Sequence, residues 1–197
     1  MPTSSFPSHA AEGFTLIEQL VTLAVLAIVL ALAIPAFSRL LASIRLSAAA
    51  NELLSSLHLA RSEAIRRGER VTLCPAPPDK TDCTGKAWHE GWIMFVDRTL
   101  SGQTPRLDPG DELLFRGGPS GRSITIQGNG PLASYVSFVP SGLSRQLNGG
   151  FLAGTFWLCA TGTTAPEPER RRDLVMNAAG RPVLVRPTDG QTRCPSS

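Results

Sequence analysis

From Phe14 to Phe37 the sequence FTLIEQLVTLAVLAIVLALAIPAF is apolar on every side, broken only by Thr15, Glu18, Gln19 and Thr22. A helix rising about 1.5 Å per residue over this run crosses a hydrocarbon layer of roughly 30 Å. Beyond Pro35 the pattern turns one-sided. Leu40, Leu41, Ile44, Ala48, Leu54, Leu57, Ala60, Ala64 and Ile65 recur at near-helical spacing among Arg45, Asn51, Glu52, Arg61 and Glu63, as on a helix that continues into water. Arg66 and Arg67 suit the C-terminal dipole, and Gly68 can adopt the left-handed cap conformation. The expectation is one helix from Phe14 to Arg67, about 80 Å long and bent near Pro35.

After Gly68 the periodicity shortens to that of strands. Arg70–Cys74, Gly91–Val96, Glu112–Phe115, Ser123–Gln127, Tyr135–Val139, Thr155–Ala160, Asp173–Met176 and Pro182–Arg186 alternate or cluster β-branched and aromatic residues between Gly, Pro, Asp and Ser. No βαβ alternation and no internal repeat is visible. The fold class is therefore α+β, a long N-terminal helix packed on an antiparallel β-sheet head. The chain divides into a segment ahead of the apolar run (1–13), a membrane half of the helix (14–37), an amphipathic half (38–67) and a β-rich head (68–197).

Charge sharpens this division. All 19 basic residues and 14 of the 16 acidic ones lie from Ser38 onward, an excess of five positive charges, and Lys80 and Lys86 are the only lysines. Arginine suits forked contacts with phosphate or carboxylate, although a mildly basic solvated surface accounts for the same excess. Four cysteines, Cys74, Cys83, Cys159 and Cys194, fall in the head without any CxxC pair. Behind a membrane segment they suggest two disulfides in an oxidising compartment. Of three connectivities, Cys74 with Cys83 and Cys159 with Cys194 is the simplest; four reduced, buried thiols are the alternative.

The apolar run is unlike a secretory signal, because its conspicuous small residue, Gly13, precedes it. Glu18 is costly inside lipid, by roughly 2.5 to 3.5 kcal/mol near the bilayer centre on insertion scales. Cleavage after Gly13 would free an α-amino group on Phe14, and such an amine on a neighbouring chain would neutralise the acid. The plainer reading places Glu18 at headgroup level, favoured by the helix dipole.

Gly13-Phe14-Thr15-Leu16-Ile17-Glu18, the apolar run and Pro35 together resemble the class III signal of type IV pilins and pseudopilins. The resemblance implies cutting by the prepilin peptidase between Gly13 and Phe14, methylation of Phe14, and a role for Glu18 in subunit assembly. It implies other pilins or pseudopilins as partners, a single pass through the bacterial inner membrane and a periplasmic head. Residues 1–13 hold no Lys or Arg, whereas Arg39 and Arg45 follow the run. The positive-inside rule alone would turn the head to the cytoplasm, and the peptidase motif and cysteines outweigh it. Trp88-His89-Glu90-Gly91-Trp92 with Asp97 at the strand end, the helix ending in Ala60-Arg61-Ser62-Glu63-Ala64, the Cys74 to Cys83 loop and Ala179-Gly180-Arg181 narrow the resemblance to the FimT/GspH family. Trp88 and Trp92 read more simply as core residues than as a ligand platform.

Enzyme signals are weak. His9, His58 and His89 belong to no HExxH, GxSxG, Walker or metal-spaced motif, so no catalytic residue, metal or cofactor is expected. Glu167, Glu169, Arg170, Arg171, Arg172 and Asp173 read as a solvated mixed-charge loop. Some FimT-type pilins bind DNA through a G-R-x-R motif, which Gly180-Arg181-Pro182-Val183 matches in its first half. Arg186 comes too late for the second half, but on the same face as Arg181 or near it would add to a site for double-stranded DNA, extended by Arg122, Arg145, Arg193 and Arg170 to Arg172; an inert basic surface is the alternative. The leading expectation is a minor pilin that primes a type IV pilus. The rivals are a type II secretion pseudopilin and a DNA receptor for natural transformation.

Overall fold

The computed structural model describes residues 14–77, 79, 82–83, 88–99, 104–118, 123–163, 165–166, 169–187 and 194. The chain separates into two compact units, Met1–Ser38 and Arg39–Ser197. Helix α1 (Leu16–Arg67) runs through Pro35. In the first unit its apolar side chains are exposed all round, from Leu16 at 77% to Phe37 at 61%. Among the described residues one helix is long and apolar enough to cross a membrane.

In the second unit, α1 buries Leu46, Ala49, Ala50, Leu53, Ser56, Leu57, Ala60 and Ala64. This stripe differs from the sequence expectation, since Leu40, Ile44 and Ile65 are more than half exposed. The helix carries apolar residues on more than one face, and spacing alone does not say which face meets the sheets. Gly68, at φ 67°, ends the helix, its N–H bonded to Ala64 O.

Among the described residues eight strands follow: β1 (Val71–Pro75), β2 (Trp92–Val96), β3 (Glu112–Gly117), β4 (Ile124–Gly128), β5 (Val136–Phe138), β6 (Gly154–Ala160), β7 (Arg171–Met176) and β8 (Pro182–Val185). They form two antiparallel four-stranded sheets, ordered β3-β2-β1-β5 and β4-β6-β7-β8, where a single sheet was expected. β4 leaves the first sheet to pair with β6, and β5 returns to β1. Such exchanges rest on long-range pairing, which local alternation does not encode.

On the first sheet Val71, Leu73, Trp92, Met94, Val96, Val136 and Phe138 share one face by register and are fully buried. On the second, Ile126, Phe156, Leu158, Leu174 and Met176 do the same. Trp88 joins the two. Its ring meets Phe156 edge-on at 5.1 Å and lies 6.4 Å from Trp92, and its Nε1 donates to Leu132 O at 2.9 Å. Both tryptophans are fully buried, which makes them core residues.

The charged stretch before β7 also departs from expectation. Glu167 and Pro168 lie outside the described residues, but Arg171 and Asp173 belong to β7 and are buried, paired through two hydrogen bonds of 2.6 and 2.7 Å. Arg171 sits 5.9 Å from the centre of the Trp157 ring. Mutual neutralisation on a covered sheet face, rather than solvation, accommodates these charges.

Candidate functional site

Four places carry the residues singled out from sequence. The first is the start of α1. Gly13 lies outside the described residues; Phe14 is 77% exposed. Thr15 precedes the first helical residue, and its Oγ1 accepts the Glu18 backbone N–H at 3.3 Å. Thr15-Leu16-Ile17-Glu18 therefore has the spacing of a capping box, a signal the sequence reading passed over. A cut before Phe14 leaves this cap intact. The Glu18 side chain is exposed, and no ion pair to it is found among the described residues.

The second is the Trp88 to Asp97 segment. Gly91 has φ 131°, and a Cβ built on Gly118 would come within 2.6 Å of Gly91 Cα. Two backbones thus approach where only glycine fits, which explains the glycine between the tryptophans. Gly118 N–H also donates to Glu52 Oε1 at 3.0 Å. Trp92 Nε1 donates to Ser56 Oγ at 3.1 Å, tying β2 to α1. Asp97 is buried; burial pushes its carboxyl above the ordinary range, opposed by the hydrogen bond that Thr72 Oγ1 donates at 2.9 Å. Thr72 also bonds Ser137 Oγ, which accepts from Arg70 Nη1 at 2.8 Å. His89 stands nearby, its Nδ1 buried without a hydrogen-bond partner among the described residues, and His58 is exposed on α1.

The disulfides form the third. Cys74 pairs with Cys83 and Cys159 with Cys194, with Cα separations of 5.5 and 6.0 Å. One closes the loop after β1. The other ties the C-terminal segment to β6.

The fourth is the arginine-bearing C-terminal hairpin. Gly180, at φ 71°, approaches Gly142 so closely that a Cβ would lie 2.5 Å from Gly142 O. Gly142 O in turn accepts from Arg61 Nε at 2.9 Å, near the end of α1. Arg181 is exposed beside this turn. Arg186 lies past the opposite end of β8, in a cleft of about 320 Å³ with Ser43, Glu169, Arg172 and Pro187. Five strand steps separate the two arginines, about 17 Å, and alternation turns them to opposite faces. The structure therefore does not bring Arg181 and Arg186 onto one face. Arg145 stacks on Phe151 at 4.2 Å. Arg122 and Arg193 lie outside the described residues. The grouping of Arg172 with Arg186 agrees with the expected positive strip, whereas Ser43 beside them was not expected; it is brought there by α1, far away in sequence.

A capped apolar helix start followed by an amphipathic half packed on antiparallel sheets defines a pilin-like subunit. The family model described as "Type II transport protein GspH" matches residues 49–180, and that described as "Prokaryotic N-terminal methylation motif" matches residues 9–34. The chain belongs to the GspH family, the minor pilins and pseudopilins of type IV pili and type II systems. No curated protein matches it. Among solved structures it is similar to the type IV minor pilin FimU of Pseudomonas aeruginosa PAO1 in two crystal forms. The P21 form is 23% identical, with TM-score 0.49 and coverage of 71% of this chain and 87% of that one. The P65 form is 20% identical, with TM-score 0.47 and coverage of 71% and 91%.

Proposed function

We propose that this chain is a minor subunit that primes a type IV pilus, stored in the bacterial inner membrane with its disulfide-bonded head in the periplasm. Prepilin peptidase cuts between Gly13 and Phe14 and methylates Phe14. The supporting observation is Glu18, an acid in the first turn of a helix whose apolar side chains are exposed all round from Leu16 to Phe37. In lipid that carboxylate needs a cation, and the new amine of a neighbouring pilin supplies one as helices bundle. Residues 14–37 are then the membrane half, 38–67 the amphipathic half and 68–197 the head.

Glu18→Ala tests this in a host producing the filament. The variant stays in the membrane fraction and falls at least about tenfold in sheared filaments, as expected when an interaction worth about 1.4 kcal/mol or more is lost. Equal incorporation of wild type and variant would remove Glu18 from assembly. A deletion strain that keeps its pili but stops exporting proteins would favour the type II pseudopilin. The DNA-receptor reading gains no support from the arginine geometry, since Arg181 and Arg186 do not share a face.

A further inference from the structure

Arg172 and Arg186 are brought together by strand register. In the β7–β8 ladder Asp173 pairs with Val185 and Leu174 with Leu184, so continuing by one residue sets Arg172 opposite Arg186. Alternation places both on the face that carries the buried Leu174 and Met176. Like charges directly opposite on one sheet face destabilise it, and natural sequences break such a rule chiefly where function requires it. Burial, then the Arg186 charge, lowers the Arg172 pKa, and Glu169 only partly opposes them. Arg172 Nη1 donates to Arg171 O at 2.8 Å, and no ion pair to Arg172 or Arg186 is found among the described residues. The two guanidinia, the Glu169 carboxylate and the Ser43 hydroxyl line a cleft of about 320 Å³, in which two arginines against one glutamate leave one positive charge in surplus.

We infer that the cleft of Ser43, Arg172 and Arg186 receives a carboxylate side chain of a neighbouring pilin subunit. One surplus charge on forked donors suits one carboxylate, and the Ser43 hydroxyl adds a neutral donor. A nucleic-acid backbone presents a row of phosphates instead. The Glu169 carboxylate repels such a row here, and Arg181 stands about 17 Å off on the opposite face. The helix surface beside the cleft is also apolar and open. Leu40, three residues before Ser43 and thus its neighbour on α1, is 55% exposed, and the adjoining Ile44 is 54% exposed. A protein segment that carries an acid among apolar residues covers both features at once, whereas a phosphodiester chain meets only the charge. The inference rests on the proposed pilin role. It adds a contact made by the head, separate from that of Glu18, through which the subunit recognises its neighbour.

Zero-length coupling tests this in a host that produces the filament. Lys80 and Lys86 are the only lysines, so Arg186→Lys adds an amine to a chain with few, and a carbodiimide joins it only to a carboxylate in direct contact. Filaments sheared from the Arg186→Lys strain should yield, by mass spectrometry of linked peptides, an amide between position 186 and an aspartate or glutamate of another pilin. This variant keeps its charge and should retain most of the wild-type incorporation. Arg186→Glu should fall about tenfold in sheared filaments, as expected when one charge-assisted contact is lost, and reversing the charge of the linked acid should restore it. Arg145→Gln/Arg181→Gln should match wild type. In detergent Arg186→Gln should melt above wild type because the repulsion is gone; a lower melting temperature would contradict the claim that the pair is uncompensated. A link only to Glu169 of the same chain, or undiminished incorporation of Arg186→Glu, would overturn the inference and leave the pilin reading standing. So would Arg186-dependent retention of phosphatidylglycerol or of a double-stranded oligonucleotide by the detergent-extracted chain, with no link to protein. Absence of the wild-type chain from filaments would overturn the pilus reading and this inference with it.

Discussion

Trp92 Nε1 donates to Ser56 Oγ at 3.1 Å, and the same hydroxyl donates to Glu52 O at 2.9 Å, so one serine satisfies both the helix and the central strand of the first sheet. Both residues are buried. Ser56→Ala leaves the indole N–H without a partner in the core, at a cost of about 1 to 3 kcal/mol. Thermal unfolding of the full chain in detergent should show the loss; an unchanged melting temperature would mean the bond contributes nothing.

Gly180 and Arg181 are adjacent but should separate cleanly on substitution. Gly180→Ala forces a left-handed φ on alanine and drives Cβ toward Gly142 O, so a loss of at least about 1 to 3 kcal/mol is expected. Arg181→Gln, on an exposed position, should stay within about 0.5 kcal/mol of wild type. Equal effects would contradict a structural role for the glycine.

Much of this architecture was legible in sequence. All eight strands appear where alternating segments met turn residues, and α1 ends at Arg67 before Gly68. What remained hidden depends on distant partners. The division into two sheets follows from β4 and β5 exchanging sides. The buried face of α1 is chosen by Trp92 and its neighbours, not by helical spacing. Arg171 and Asp173 looked solvated because sequence shows charge but not the pairing that permits burial. In retrospect, Asp173 followed by Leu174 and Met176 carried the alternation of a strand that begins earlier than expected.

Asp97 should make stability depend on pH. Burial raises its folded-state pKa above the ordinary 3.8, so the folded protein binds a proton more tightly than the unfolded chain. That contribution is complete below the ordinary value and is lost as pH rises through the raised one. Asp97→Asn keeps an acceptor for Thr72 without the charge. Its melting temperature relative to wild type should therefore climb between pH 3 and pH 7; a constant or falling difference would contradict the burial argument.

The two disulfides should differ in weight. Cys74–Cys83 spans 9 residues and Cys159–Cys194 spans 35. In the chain-entropy model these are worth about 3 and about 4 kcal/mol. Paired serine replacement at Cys159 and Cys194 should lower the melting temperature more than replacement at Cys74 and Cys83. The reverse order would show that local loop packing outweighs chain entropy.

The most direct measurement is intact-mass and N-terminal mass spectrometry of the chain extracted from its native membrane. Prepilin processing and a periplasmic head together require a polypeptide beginning at N-methylated Phe14, with every cysteine oxidised. Recovery of a chain still beginning at Met1 and carrying free thiols would contradict it.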